Sequence, residues 1–206
     1  MTSNEPKRVG IYGGTFNPPH IGHIHAAKEF LEIMKLDELL IMPAAVPPHK
    51  VIEGKDDPSV RLEMCREAFG GISDKVTVSD YEIKKGGISY TVETLEHYAK
   101  EGTKLFFLCG ADMFLTLETW NMPEKIFKNA AFVCAMRGDG SGTADDVGAY
   151  SSVLANKFNA EVFMLPSAAV RMSSSEIRDL IKHGGDISGM VTDGVGKIIH
   201  SRRLYL

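Results

Sequence analysis

Six short apolar runs, each bounded by turn-forming residues, recur along the chain at 8–12, 38–42, 75–79, 104–109, 131–136 and 161–165. Runs of that length between Gly, Pro, Asn and Asp clusters read as buried β-strands. Between them the spacing lengthens to that of a helix. Residues 23–35 place Ile24, Ala27, Leu31 and Met34 on one face. Residues 58–69 open on Pro58, a residue favoured in a first helical turn, and 90–100, 145–158, 173–182 and 193–202 complete the helical set. Such alternation predicts an α/β fold, with parallel strands joined by crossover helices. No linker or internal repeat divides the chain, so one domain over residues 1–206 is expected. Ligands on sheets of this kind bind beyond the carboxyl ends of the strands, so the loops there are where chemistry is expected. Residues 138–148, rich in Gly with Asp and Ser, are expected to form a mobile surface loop.

Composition narrows the function classes. The 206 residues carry 23 Lys+Arg against 27 Asp+Glu, a formal net charge of −4. Binding a nucleic-acid backbone rests on many Lys/Arg–phosphate contacts, so no nucleic-acid partner is expected, although a local basic pocket fits the balance. Cys65, Cys109 and Cys134 are widely spaced inside apolar runs, the usage of a reduced core with neither a disulfide framework nor a paired-Cys zinc site. The polar residues before the first strand are unlike a signal peptide. No apolar run reaches the ~18 residues of a membrane span, so a cytoplasmic chain without a membrane partner is expected. The pattern leaves oligomeric state open, a homo-oligomer included.

The loop after the first strand carries the densest chemistry. It reads Gly13-Gly14-Thr15-Phe16-Asn17-Pro18-Pro19-His20-Ile21-Gly22-His23 and then becomes a helix. Paired glycines let a backbone approach a ligand closely, and a helix N-terminus presents unpaired N–H groups with partial positive charge. Pro18 and Pro19 stiffen the turn. His20 and His23, three apart, share a face if the helix starts near Pro19, whereas His25 lies ~140° round from His20 and points elsewhere. A phosphate cradle with two imidazole donors is expected. The dinucleotide fingerprint and the P-loop do not match, lacking a third glycine and a Gly-Lys-Ser/Thr respectively. No further ligand stands at zinc spacing from the histidines, so no metal site is expected.

Near the other end, Ser173 with Glu176 three residues on forms a capping box. Ser174 and Ser175 lie four and three residues before Arg178, so hydroxyls and guanidinium are expected on one helical face, a set suited to polyphosphate. The middle loops add further groups. Pro47-Pro48-His49-Lys50 holds Lys50 near the strand ends, where it could meet a phosphate or simply be solvated. In Ser89-Tyr90-Thr91 either Ser89 or Thr91 is expected to cap the next helix. Asp112, just past a strand, suits ribose hydroxyls. Trp120, beside Asn121, can stack on an aromatic base or pack in the core.

The string at 13–23 resembles the first signature of the nucleotidyltransferase superfamily, with Asn17 where many members have Asp. Its His20-Ile21-Gly22-His23 portion also matches the HIGH signature of class I aminoacyl-tRNA synthetases. Residues 172–178 are similar to the second signature, with Met172 in place of Ile and Ser175 in place of Thr. Together with Pro-Pro-His-Lys, Ser-Tyr-Thr-Val-x-Thr-Leu and Gly-x-Asp-x-x-x-x-Leu-x-x-Trp, the set closely resembles the nicotinate-nucleotide adenylyltransferases of bacterial NAD biosynthesis. That resemblance implies a Rossmann-like doubly wound parallel sheet of the nucleotidyltransferase (HIGH) type. It implies transfer of AMP from ATP to nicotinate mononucleotide, with Mg²⁺ carried on the triphosphate and no dedicated protein site for it. By the same resemblance, His23 serves the α-phosphate, His20 its neighbours, and Gly13, Gly14, Thr15 and Phe16 the cradle. Ser174, Ser175 and Arg178 hold the departing phosphates, Asp112 the ribose, and Lys50 and Arg137 are further phosphate candidates. Tyr90, Thr91, Trp120 and Asn121 take the nicotinate end. Two alternatives remain at this point. One is a related adenylyltransferase acting on nicotinamide mononucleotide or phosphopantetheine, and the other a synthetase-like RNA-binding module without catalysis.

Overall fold

A computed structural model describes residues 5–48, 57–136, 143–165 and 172–206. Six strands, β1 (Lys7–Gly14), β2 (Glu38–Pro43), β3 (Val76–Val78), β4 (Thr103–Gly110), β5 (Ala130–Ala135) and β6 (Val162–Leu165), form one sheet in the order β3-β2-β1-β4-β5-β6. Every adjacent pair is parallel. The helices are α1 (Ile21–Ile33), α2 (Pro58–Phe69), α3 (Tyr81–Lys85), α4 (Thr91–Tyr98), α5 (Ala111–Phe114), α6 (Pro123–Asn129), α7 (Ala144–Phe158), α8 (Ser174–Lys182) and α9 (Asp193–Ser201), with a 3₁₀ turn over Leu117–Thr119.

Strand pleating divides the core in two, because successive side chains point to opposite faces. Leu39, Ile41, Phe106, Leu108, Ala131 and Val133 pack on one face with residues of α1, α2, α8 and α9. Leu40, Met42, Leu105, Phe107, Phe132 and Cys134 pack on the other with residues of α4, α5, α6 and α7. Layers on both faces make this the doubly wound architecture expected. At Gly10 a Cβ would lie 2.4 Å from Leu36 Cδ1 and 2.8 Å from Phe30, so α1 and the turn after it seat on β1 only because no side chain stands there. The chain runs outward from β1 to β3 and then crosses back to β4 on the other side of β1. The strand order therefore reverses between β1 and β4, and a crevice opens past their carboxyl ends.

Two local expectations are corrected. Residues 143–148 are not loop. Thr143 caps α7, its hydroxyl accepting from the Asp146 N–H while Asp146 takes the Thr143 N–H. That reciprocal pair turns the Asp-rich stretch into a helical start, and 138–142 lie outside the described residues. Nor does Ser89 or Thr91 cap α4. Tyr90 holds the N-cap position without a side-chain bond, and Ser89 is turned inward to accept the Ala45 N–H at 2.8 Å.

Candidate active site

The β1 loop turns into α1 through a reciprocal pair of imidazoles. His20 is the N-cap residue; its Nδ1 accepts the His23 N–H at 3.4 Å, and His23 Nδ1 accepts the His20 N–H at 3.2 Å. The rings stack with centroids 3.7 Å apart. Since Nδ1 is an acceptor in both rings, each is the neutral tautomer with its proton on Nε2. The two histidines thus come together by capping rather than by sharing a helical face. His25 points elsewhere, toward Glu29 at 3.3 Å.

Phe16 anchors the loop from inside. At φ 50 its backbone is left-handed, and its buried ring meets Tyr12, His23 and Phe69 edge-on at 5.3, 5.1 and 5.5 Å. A Cβ on Gly14 would stand 2.9 Å from that ring, and one on Gly13 2.9 Å from Phe107. The paired glycines are therefore required for packing as well as for exposing backbone. Among the described residues the N–H groups of Thr15 and Phe16 have no backbone acceptor.

The second signature docks on this loop. The capping box of Ser173 and Glu176 starts α8. Ser174 Oγ donates to the Pro18 carbonyl at 2.8 Å, and the Arg178 guanidinium donates to the Asn17 carbonyl at 2.8 Å and to Ser175 Oγ at 3.2 Å. Ser175 and Arg178 share a face as expected, whereas Ser174 turns to the proline. The Tyr205 hydroxyl meets Asn17 Oδ1 from the C-terminal segment.

A single cleft of about 700 Å³ lies over these pieces. Gly13, Gly14, Thr15, Phe16, His20 and His23 line one part, and Ser174, Ser175 and Arg178 the part beside it. Asp112, exposed in the first turn of α5, stands at its mouth, with Tyr90, Thr91, Trp120 and Asn121 along the remaining wall. The volume is in the range of small-ligand sites. Trp120 serves cleft and core together. It is 9% exposed, its ring meets Phe107 edge-on at 6.1 Å, and its Nε1–H donates to Thr116 Oγ1 at 3.2 Å. Lys50 and Arg137, with His49, lie outside the described residues.

Residues 11–180 match the family described as cytidylyltransferase-like. A probable nicotinate-nucleotide adenylyltransferase of Clostridium beijerinckii is 37% identical over 205 residues, covering 97% of this chain and 99% of its own. That of Clostridium tetani is 35% identical over 201 residues, covering 97% and 99%. The chain belongs to the nicotinate-nucleotide adenylyltransferase family. The fold agrees. Plasmodium falciparum nicotinic acid mononucleotide adenylyltransferase complexed with APC superposes with a TM-score of 0.76 at 18% identity, covering 97% of each chain. The same enzyme complexed with NaAD gives a TM-score of 0.70 at 19% identity, again over 97% of each.

Three residues that line the cleft or brace its loops are absent from the sequence reading. Arg61, on α2, is 1% exposed; its guanidinium donates to the carbonyls of Thr15 at 3.0 Å, Ala44 at 2.6 Å and Ala45 at 2.9 Å. It ties the β1 loop to the β2 loop from beneath. Glu82, on α3, is 6% exposed and lines the cleft, accepting the Thr94 hydroxyl at 2.6 Å. Burial pushes its carboxyl up, and the Thr94 hydrogen bond and the nearby Ser89 hydroxyl pull it part of the way back. Tyr205 is the third. The one available signal was Arg61 in line with Met64, Cys65 and Ala68 on an apolar stripe, where a charge needs a partner.

The thiols are inert by placement. Burial pushes Cys65 and Cys109 well up, and raises Cys134 to about 12 with Asp112 adding to it. Thiol titration of the native chain at neutral pH should therefore be slow, with all three cysteines reacting after unfolding in guanidinium. Rapid labelling of Cys109 in the native chain would contradict the cleft wall described.

Proposed function

We propose that this cleft joins ATP to nicotinate mononucleotide, giving nicotinate adenine dinucleotide and pyrophosphate. The observation that carries the proposal is the meeting of the two signatures over one cleft. Anion-binding groups converge there from β1, α1 and α8, beside a tryptophan wall. A 5′-phosphate oxygen of the mononucleotide attacks the α-phosphorus in line; that P–O bond forms as the bond to the β-phosphate breaks. The nucleophile is already an anion, so no general base is called for. Positioning and neutralisation of transition-state charge carry the rate.

His23 donates from Nε2 to the α-phosphate and His20 to the phosphates next to it. Gly13 and Gly14 leave room for close approach, and the Thr15 and Phe16 N–H groups complete the cradle. Arg178, Ser174 and Ser175 hold the departing pyrophosphate, and Asp112 takes the ribose hydroxyls. Trp120 and Tyr90 flank the pyridine ring, and its carboxylate meets the N–H groups of Thr91 and Asn121. Lys50 and Arg137 remain candidates for phosphate contact. Mg²⁺ enters as part of the MgATP substrate and offsets triphosphate charge. Among the described residues no cluster of three or more His, Cys, Asp or Glu could hold it without the nucleotide. Also among the described residues, no helix is long and apolar enough to cross a membrane.

Pyrophosphate release should be measured with ATP and, in turn, nicotinate mononucleotide, nicotinamide mononucleotide and phosphopantetheine. The proposal predicts the acid as the preferred acceptor. Preference for the amide or for phosphopantetheine rejects it, and tRNA binding without any release favours the RNA-binding alternative. Trp120→Ala should weaken the mononucleotide about tenfold and leave ATP affinity near that of the parent. Equal losses for both ligands in a titration count against stacking.

A further inference from the structure

A buried acid in a cleft for anions needs a reason. Glu82 faces the cleft with only 6% of its surface exposed, and a carboxylate so placed repels phosphate and ring carboxylate alike unless its charge is used nearby. It is used. Thr94 Oγ1 donates to Glu82 Oε1 at 2.6 Å, and the nearby Ser89 hydroxyl also favours the charged form of that carboxylate. Ser89 Oγ accepts the Ala45 N–H at 2.8 Å. Ser89 N–H in turn donates to the Val46 carbonyl at 2.8 Å, and Arg61 grips the carbonyls of Ala44 and Ala45 from the other side. Glu82 thus ties α3 to α4 through Thr94, beside the polar chain that joins α2, the β2 loop and the turn before α4 through Arg61, Ala45 and Ser89. Thr91, the first residue of α4, follows directly and has no backbone acceptor for its N–H among the described residues.

We propose that Glu82 is a positioning residue for the mononucleotide end of the site. By accepting the Thr94 hydroxyl, it fixes the first turn of α4 with the Thr91 N–H presented to the ring carboxylate, and does not itself touch the substrate. This role rests on the function proposed above. A hydroxyl donor on the acid is what a side chain spent on shaping a turn requires, because ionised carboxylate accepts and cannot donate. Charge-assisted bonds of this kind are the stronger class, so losing one loosens the turn more than a surface bond would.

The test is steady-state kinetics on the full chain with ATP and nicotinate mononucleotide varied separately. Glu82→Gln should raise KM for the mononucleotide about tenfold, the fold-change of one lost charge-assisted hydrogen bond. KM for ATP should stay within about twofold. Thr94→Val, isosteric but without the hydroxyl, should reproduce the effect, and Thr94→Ser, which keeps the hydroxyl and loses a methyl, should restore the parent KM. Packing alone predicts the reverse order for those two. An unchanged mononucleotide KM in folded Glu82→Gln, equal rises in both KM values, or Thr94→Ser behaving like Thr94→Val overturns the proposal. If Glu82→Gln does not fold, the Thr94 pair decides it. Absence of pyrophosphate release by the parent chain with nicotinate mononucleotide overturns the function and the Glu82 role together, whereas an active parent with unmoved variants overturns the Glu82 role alone.

Discussion

His23→Ala is expected to lower turnover by at least about 10²–10³, the usual loss for a preorganised transition-state donor, while the chain remains folded. His23 is half-buried, and its Nδ1 is committed to the His20 N–H, which fixes the ring and leaves the Nε2 proton as the group facing phosphate. Alanine removes that donor together with the ring contacts to Phe16 and His20. His23→Asn, which keeps a short polar side chain, should recover little, because it cannot both cap His20 and reach the cleft. Single-turnover pyrophosphate release, with circular dichroism as the control for folding, measures the loss. Turnover within about threefold of the parent would remove His23 from the chemistry.

Arg61→Met is expected to destabilise the chain on the order of 3 kcal/mol, through loss of the donors to three carbonyls in a buried place. The guanidinium bonds Thr15, Ala44 and Ala45, and methionine of similar length supplies no donor to any of them. At this chain length the melting temperature should fall roughly 6–12 °C. Arg61→Lys should recover less than half, since a compact ammonium cannot span all three acceptors as a planar fork does. Both variants should also weaken ATP, because Thr15 lines the cleft and belongs to the proposed cradle. A melting temperature within about 2 °C of the parent for Arg61→Met contradicts this account of the loops.

The elements with a strong period were legible from sequence, and the reasons are specific. Strands β1, β2, β4 and β5 are buried on both faces, so each appears as an unbroken apolar run. The β3 edge keeps only Val76–Val78 of the expected 75–79, since one neighbour rather than two supports it. Helices α3, α5 and α6 and the 3₁₀ turn are too short to show a 3.6-residue period, although Pro123 at the first turn of α6 was a readable start.

The site divides in the same way. Glycines, prolines, histidines and capping serines announce a loop-to-helix anion cradle because each is needed there for a local reason. Glu82 announces nothing, and Arg61 only its place on an apolar stripe, because hydrophobic patterning assigns charged residues to the surface. Their burial depends on carbonyls and hydroxyls brought in from other segments, as when Ser89 reaches Ala45. His20 illustrates a smaller gap. Spacing brought it to His23, but only the backbone geometry shows that the two cap each other and thereby fix which nitrogen carries the proton.

The most direct measurement is a crystal structure of the chain with a non-hydrolysable ATP analogue and nicotinate mononucleotide. One triphosphate should lie across the cleft, its α-phosphate within hydrogen-bond reach of His23 Nε2 and its terminal phosphates beside Ser175 and Arg178. A triphosphate bound away from His23, or one touching the β1 loop while Arg178 faces solvent, would contradict the account.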